Sequence, residues 1–146
     1  MRRKRGQGQL KILVVDDQGF NITAIQVILR VKFKLNVDQV MDKALGGQQA
    51  IDMVRKNIVR NNFDKCDYIL ILMDCNMPFV DGYQATDTIR HLFYQYGLSQ
   101  PIISAVTGHS ETVYINKAIN SGMNQVLSKP VSIPALRRLL LKVKFI

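Results

Sequence analysis

Five residues stand out by type and position: Asp16 and Asp17 after the run KILVV, Asp74 after YILILM, Thr107 after PIISAV, and Lys129 after QVLS. Three carboxylates drawn into one crevice repel one another, and the arrangement is unfavourable unless a cation sits among them. A hard divalent ion fits, and Mg2+ suits the donors because it is usually held by one or two carboxylates with waters and phosphate oxygens. Asp16 and Asp17 would form the metal platform, Asp74 would complete it, and the backbone carbonyl of Asn76 would add a ligand where the chain turns. An aspartate beside Mg2+ can act as a nucleophile toward a phosphoryl group, giving an aspartyl phosphate. The transferring group spreads negative charge over its equatorial oxygens and needs positive and hydrogen-bonding partners on several sides. Lys129 offers the cation, Thr107 the hydroxyl, and the backbone near Gly108 further N–H donors. Taken singly, a strand-end aspartate is more simply a helix cap, Lys129 a solvated lysine and Thr107 a turn residue. Their joint placement favours the site.

That placement depends on the elements between them. Lys11–Val15 reads as a buried strand because its apolar residues are continuous rather than alternating. Tyr68–Met73 and Pro101–Val106 read the same way, Gln125–Leu127 is short and apolar enough to be a central strand, and a further strand is expected at Asn36–Met41. Helical spacing fills the intervals. Ile22, Ile25, Val27, Ile28 and Leu29 cover one face of Phe20–Val31, and Ala50, Ile51, Val54 and Ile58 one face of Gln48–Val59, after the break at Gly46-Gly47. Another helix runs over Gly82–Phe93, following a loop that contains Asn76, Met77, Pro78 and Asp81. Thr112–Asn120 stops at Gly122, a position for a left-handed cap. The last helix is capped by Ser132, carries Pro134 in its first turn, and points Leu136, Leu139, Leu140 and Val143 inward. Five alternating strand–helix pairs imply an open, mostly parallel α/β sheet covered on both faces, with right-handed crossovers. Ligands of such sheets bind beyond the carboxyl ends of the strands, where all five residues lie.

The 146 residues suffice for one core, and 47% apolar with 21% charged residues is the profile of a soluble globular domain. Cys66 and Cys75 have no metal-ligand spacing and form no disulfide framework, which fits a reducing compartment. No apolar run approaches the roughly 20 residues of a membrane span, and the basic start lacks the apolar region of a secretory signal. The net charge of +9 is concentrated in Arg2, Arg3, Lys4, Arg5 and Lys11 and in Arg137, Arg138, Lys142 and Lys144. Without interleaved aromatics, zinc-finger spacing or a helix-turn-helix segment, these residues read as solvated faces rather than a specific nucleic-acid site. Residues 1–10 are expected to be a basic tail or linker, and residues 11–146 the domain. Gly46-Gly47 lacks the lysine and spacing of a phosphate-binding loop, and no dinucleotide fingerprint follows the first strand. His91 is expected on the surface, and His109 is a candidate to line the crevice beside Thr107.

The ordered set ILVVDD (Ile12–Asp17), LMDCNMPFVDGYQAT (Leu72–Thr86), AVTG (Ala105–Gly108) and GMNQVLSKP (Gly122–Pro130) resembles the receiver domain of two-component signalling, most of all the receivers of hybrid histidine kinases. The likeness runs from about Lys11 to Val143. It implies a doubly wound (βα)5 fold of the flavodoxin-like, CheY-like type with a central five-stranded parallel sheet. It also implies Asp74 as phosphoacceptor, Asp16 and Asp17 as acidic residues of the Mg2+ site, and Asn76 as its backbone-carbonyl ligand. Thr107 would be the switch hydroxyl and Lys129 the cation that contacts the phosphoryl group, ahead of Pro130, which in such domains often follows a cis peptide. A histidine kinase or histidine phosphotransfer protein is the implied partner. Mg2+-dependent self-phosphorylation and autodephosphorylation are the implied chemistry, and no membrane contact by this domain is implied. The implied location is cytoplasmic, including the cytoplasmic part of a membrane-bound sensor kinase.

The chain departs from the family pattern at Val126, where many receivers carry an aromatic three positions before the lysine, at Gly108, where alanine is common, and at Gln18 and Gly19 after the aspartate pair. The alternative function is a phosphorylation-independent pseudo-receiver or scaffold. A phosphatase on a similar sheet would place a second aspartate where Asn76 stands.

Overall fold

The structure, a computed structural model, describes residues 9–146. Most of the tail expected at residues 1–10, including its four basic residues, lies outside them. Strand β1 (Lys11–Val15) leads through helix α1 (Gly19–Val31) and a single helical turn at Val37–Val40 into β2 (Met41–Ala44). There follow α2 (Gly47–Arg60), β3 (Tyr68–Asp74), α3 (Gly82–Gln95), β4 (Ile102–Thr107), α4 (Thr112–Asn120), β5 (Gln125–Ser128) and α5 (Ile133–Lys142). The strands form one parallel sheet in the order β2-β1-β3-β4-β5. The expected five-stranded doubly wound fold is the one found, but β5, expected to be central, is an edge strand that pairs only with β4.

Continuous apolar strands reflect burial on both faces. Ile12 and Val14 of β1 join Leu70 and Leu72 of β3 in a core with Ile22, Ile25 and Leu29 of α1 and Leu136, Leu139 and Leu140 of α5. Leu13, Val15, Ile71 and Met73 point the other way, into a core with Ala50, Ile51, Val54 and Ile58 of α2, Ile89 and Phe93 of α3, and Ala118 of α4. Alternate residues of each central strand thus feed opposite layers, and a one-residue slip would exchange the two cores.

The second strand departs from expectation. It occupies Met41–Ala44 rather than Asn36–Met41, and Val37–Val40 forms a helical turn instead. The strand is at the sheet edge and pairs only with β1, so Asp42 and Lys43 need no apolar character. Asp42 instead accepts from Lys11 Nζ at 3.3 Å and from the Tyr68 hydroxyl at 2.6 Å, which ties the edge strand across β1 to β3. Val27 is likewise not on the core face of α1: it is 45% exposed. Ser132 caps α5 as expected, its hydroxyl accepting from Ala135 N, with Pro134 in the first turn. Asp81 caps α3 in a reciprocal box with Gln84.

Arg90 on α3 holds the far end of the sheet. It donates to the carbonyls of Gly122 (2.8 Å) and Pro101 (2.7 Å) and to the side chains of Asn124 (2.7 Å) and Gln100 (3.0 Å). Burial lowers its pKa, yet it stays charged. Replacing it with methionine keeps the aliphatic bulk and strands those acceptors, so Arg90→Met should destabilise the fold by about 2–3 kcal/mol, read as a lower urea midpoint with an unchanged slope.

Candidate functional site

The site lies where the rule for parallel sheets places it, at the carboxyl ends of β1, β3, β4 and β5. Asp74 and Thr107 are the last residues of β3 and β4, Asp16 follows β1 directly, and Lys129 follows β5. Strand pairing sets their heights: Asp74 is in register with Val106, one residue short of Thr107, and Thr107 with Ser128, one residue short of Lys129. Three carboxylates meet here, Asp16, Asp17 and Asp74, which offer oxygens all within 4.8 Å of one another. Asp16 and Asp74 are each only 3% exposed, and Asp17 is half-buried.

Lys129 bridges the two buried carboxylates, with Nζ at 3.0 Å from Asp16 Oδ2 and 3.1 Å from Asp74 Oδ1. The expected cis peptide between Lys129 and Pro130 is present. One ammonium does not neutralise three carboxylates. Burial and then the neighbouring charge of Asp16 push the Asp74 carboxyl above its ordinary range, and together they outweigh the lowering effect of Lys129 and of the Asn76 amide. Burial pulls the Lys129 pKa down, but its contacts with Asp16 and Asp74 raise it overall. Both directions describe a cluster with surplus negative charge, short of a cation. The oxygen-only donor set and the close carboxylates therefore fit a hard divalent ion.

The helix-cap alternative for the aspartates is met only in part. Asp16 Oδ1 accepts from Gln18 N at 2.8 Å, but the cap position of α1 is Gln18, with no side-chain cap bond. Thr107 is buried, and its Oγ1 accepts from His109 N at 3.1 Å, which fixes the start of the β4–α4 loop. The Asn76 N–H reaches toward Asp74 Oδ1 at 3.4 Å, which places this amide beside the acidic cluster. The ring of His109 stacks on Tyr114 of α4, with centroids 4.4 Å apart and an interplanar angle of 24°; His91 is on the surface.

Three features of the site had no counterpart in the sequence reading. Gly82 packs directly against the Asp74 carbonyl: an added Cβ would lie 2.1 Å from its oxygen. The signal was present in the Asp81-Gly82 pair, where a glycine follows a cap residue. Two phenyl rings also project into solvent from segments bordering the site, Phe20 (71% exposed) in the first turn of α1 and Phe79 (100% exposed) between β3 and α3. Phe79 holds a positive φ of 68°, unfavourable for a non-glycine residue. Only exposure in the folded chain distinguishes these rings from core aromatics.

No helix among the described residues is long and apolar enough to cross a membrane. The family profile described as the response regulator receiver domain matches residues 12–141. The chain is 35% identical over 127 residues to a probable histidine kinase 2 of Oryza sativa subsp. indica, covering 84% of this chain and 12% of that protein. It is 33% identical over 136 residues to the osmosensing histidine protein kinase SLN1 of Saccharomyces cerevisiae, covering 93% and 10%. The chain thus spans about a tenth of the length of these relatives. Among solved structures, the receiver domain of the histidine kinase CKI1 from Arabidopsis thaliana, complexed with Mg2+ and BeF3-, superimposes with a TM-score of 0.80 at 27% identity, over 94% of this chain and 91% of that one. The co-crystal of the Saccharomyces cerevisiae histidine phosphotransfer signalling protein Ypd1 with the receiver domain of its downstream response regulator Ssk1 also matches, with a TM-score of 0.75 at 28% identity, over 92% and 88%.

Proposed function

Because this chain belongs to the response regulator receiver domains, we propose that it accepts a phosphoryl group from a phosphohistidine onto Asp74 in a Mg2+-dependent reaction and thereby switches its protein contacts. The observation that carries the proposal is the convergence of Asp16, Asp17 and Asp74 with Lys129 at one sheet edge. Asp16, Asp17, Asp74 and the backbone carbonyl of Asn76 would hold the ion, which supplies charge neutralisation to the cluster and to the incoming phosphoryl oxygens. Asp74 Oδ attacks phosphorus, the P–O bond forms as the P–N bond breaks, and the donor imidazole, already protonated on its other ring nitrogen, takes the P–N electron pair and leaves neutral. Lys129, already against Asp74, stabilises the charge on the transferred group, and the Thr107 hydroxyl donates to one of its oxygens after leaving His109 N. Later attack of water on phosphorus returns the Asp74 carboxylate and releases inorganic phosphate. Within the same reading, residues 11–146 are the receiver unit and residues 1–10 a basic tail or linker.

The similarity to a receiver crystallised with a histidine phosphotransfer protein supports a partner of that kind, or a histidine kinase. Phe20 and Phe79 give the borders of the site apolar surface for such a donor to cover. Mg2+ should stabilise the folded chain even without phosphodonor. At a concentration 100 times its dissociation constant the gain is about 2.7 kcal/mol, or roughly 5–10 °C in unfolding midpoint for a domain of this size. Asp17→Asn should remove most of that rise. A midpoint indifferent to Mg2+ up to tens of millimolar would argue against the metal site and for the phosphorylation-independent scaffold.

A further inference from the structure

The layer formed by α1 and α5 carries no acidic side chain. Residues 18–37 and 112–146 contain neither aspartate nor glutamate. Arg30, Lys32 and Lys34 stand at the end of α1 and just past it, and Arg138, Lys142 and Lys144 on α5 and just past it, all of them exposed. None of them has an ion-pair partner among the described residues. A cation in the last turn of a helix offsets the helix dipole, which accounts for Arg30 and Lys142 but not for the others.

These cations gather at one end. Helices that connect parallel strands run against the strand direction, so α1 and α5 both finish at the amino edge of the sheet, opposite the edge that holds Asp74. Past α1 the chain alternates: Phe33 and Leu35 pack into the core that α1 and α5 share, while Lys32 and Lys34 face out. Past α5 it alternates again, with Val143 and Phe145 in the same core and Lys144 and Ile146 facing out. The Arg137 guanidinium lies over the Phe33 ring, 5.1 Å from its centroid, and joins the two segments. Aliphatic side chains stand between the cations: Val31, Leu141 and Ile146 are each about half exposed, as is Leu10, which enters β1 at the same edge. A surface for nucleic acid would offer rings on which bases stack, but both rings at this end, Phe33 and Phe145, are turned into the core. Cations set around exposed aliphatic side chains instead match the anionic headgroups and the acyl boundary of a bilayer.

We propose that this end of the α1–α5 layer is a docking surface for an anionic phospholipid bilayer, drawn to it by Lys32, Lys34, Lys142 and Lys144 and seated by Val31 and Leu141. The contact is peripheral, with side chains entering the headgroup region and no segment crossing. The family likeness implies no such contact, and the inference does not depend on Asp74 being the phosphoacceptor. A domain docked in this way turns its acceptor edge away from the bilayer and leaves it open to a donor.

The test is co-sedimentation of the full chain, at physiological salt, with vesicles of phosphatidylcholine alone and with vesicles of phosphatidylcholine and phosphatidylserine in equal parts. Binding to a DNA duplex is measured beside it. Wild type should pellet with the mixed vesicles and not with phosphatidylcholine, and salt at about 1 M, which shortens the screening length to about 3 Å, should release it. Lys32→Gln/Lys142→Gln should weaken vesicle binding by at least about tenfold, at roughly fivefold for each charge held near the surface. Lys56→Gln/Lys117→Gln makes the same change of charge on the opposite layer and should weaken it by less than about threefold, because screening confines the field to about 8 Å. Val31→Ser/Leu141→Ser keeps every charge and should weaken vesicle binding by at least about threefold. Arg2, Arg3, Lys4 and Arg5 stay unchanged in every variant, so a loss reports on the face itself. All six replaced side chains are exposed, and the lipid and salt dependence of wild type stands as a test if a variant does not fold. A wild type indifferent to phosphatidylserine, equal losses in the two lysine pairs, or wild-type binding by Lys32→Gln/Lys142→Gln overturns the inference. Unchanged vesicle binding by Val31→Ser/Leu141→Ser overturns it too, and if the duplex is also bound, the face serves nucleic acid instead.

Discussion

Incubated with Mg2+ and acetyl phosphate, the wild-type chain should gain the mass of one phosphoryl group, and Asp74→Asn should gain none. Asparagine preserves the shape and the contact distance to Lys129 but removes the nucleophilic carboxylate, so the loss should be complete rather than partial. Omitting Mg2+ should reduce the wild-type gain to background, because Lys129 alone does not offset the three carboxylates. A gain that persists in Asp74→Asn would move the acceptor elsewhere, and a failure of freshly folded wild type to react would favour the scaffold.

The same substitution has a signature independent of phosphorylation. The Asp74 carboxyl is held above its ordinary range by burial and by Asp16, so the folded state binds that proton more tightly than the unfolded state does. Stability linked to this group is therefore present below its unfolded pKa and lost as pH rises through the folded value. At neutral pH, where the charge is least tolerated, metal-free Asp74→Asn should melt above wild type. The difference should shrink as pH falls through the carboxylate range and the wild-type residue takes up its proton. Thermal melts of both proteins in chelator at a series of pH values measure it, and a gap that widens toward acid would contradict the assigned electrostatics.

The second large effect is steric. Gly82→Ala should destabilise the fold by at least about 2 kcal/mol, at or beyond the usual overpacking range, because the new methyl would meet the Asp74 carbonyl oxygen at 2.1 Å and the Cys75 Cα at 2.9 Å. Both are backbone atoms at the end of a central strand, and neither can rotate away. Relief requires α3 and the end of β3 to move apart, which would disturb Asp74, so phosphoryl gain should fall along with stability. Gly46→Ala provides the contrast. Its added Cβ meets nothing within 4 Å, its backbone is extended, and the change should stay within about 0.5 kcal/mol of wild type. Urea unfolding of the two variants side by side separates a packing requirement from a general dislike of alanine in the loops.

Much of this molecule could be read from local pattern. The strands β1, β3 and β4 are continuous apolar runs because each is buried on both sides, and that burial is written directly in residue type; β5, short and apolar enough to read as central, has one neighbour and exposes Ser128. The boundaries fell within a few residues because the chain turns polar where the sheet ends. The edge strand was misplaced for the converse reason: β2 has one neighbour, tolerates Asp42 and Lys43, and takes its position from pairing with β1 and from the Tyr68 and Lys11 contacts to Asp42. None of those partners is close to it in sequence. Val27 misled similarly, since helical spacing alone does not say how wide the buried stripe is.

The sequence by itself determined the alternation of elements, and hence which residues finish the strands. Because parallel strands share one direction, it also determined that Asp16, Asp17, Asp74, Thr107 and Lys129 face the same edge. Tertiary structure alone decided how they meet. Lys129 spans Asp16 and Asp74, Thr107 is engaged by His109 N, and Gly82 is wedged against the Asp74 carbonyl. The physical reason is that residue type and period report burial one position at a time, whereas charge balance, steric fit and hydrogen-bond satisfaction are properties of groups brought together from tens of residues apart.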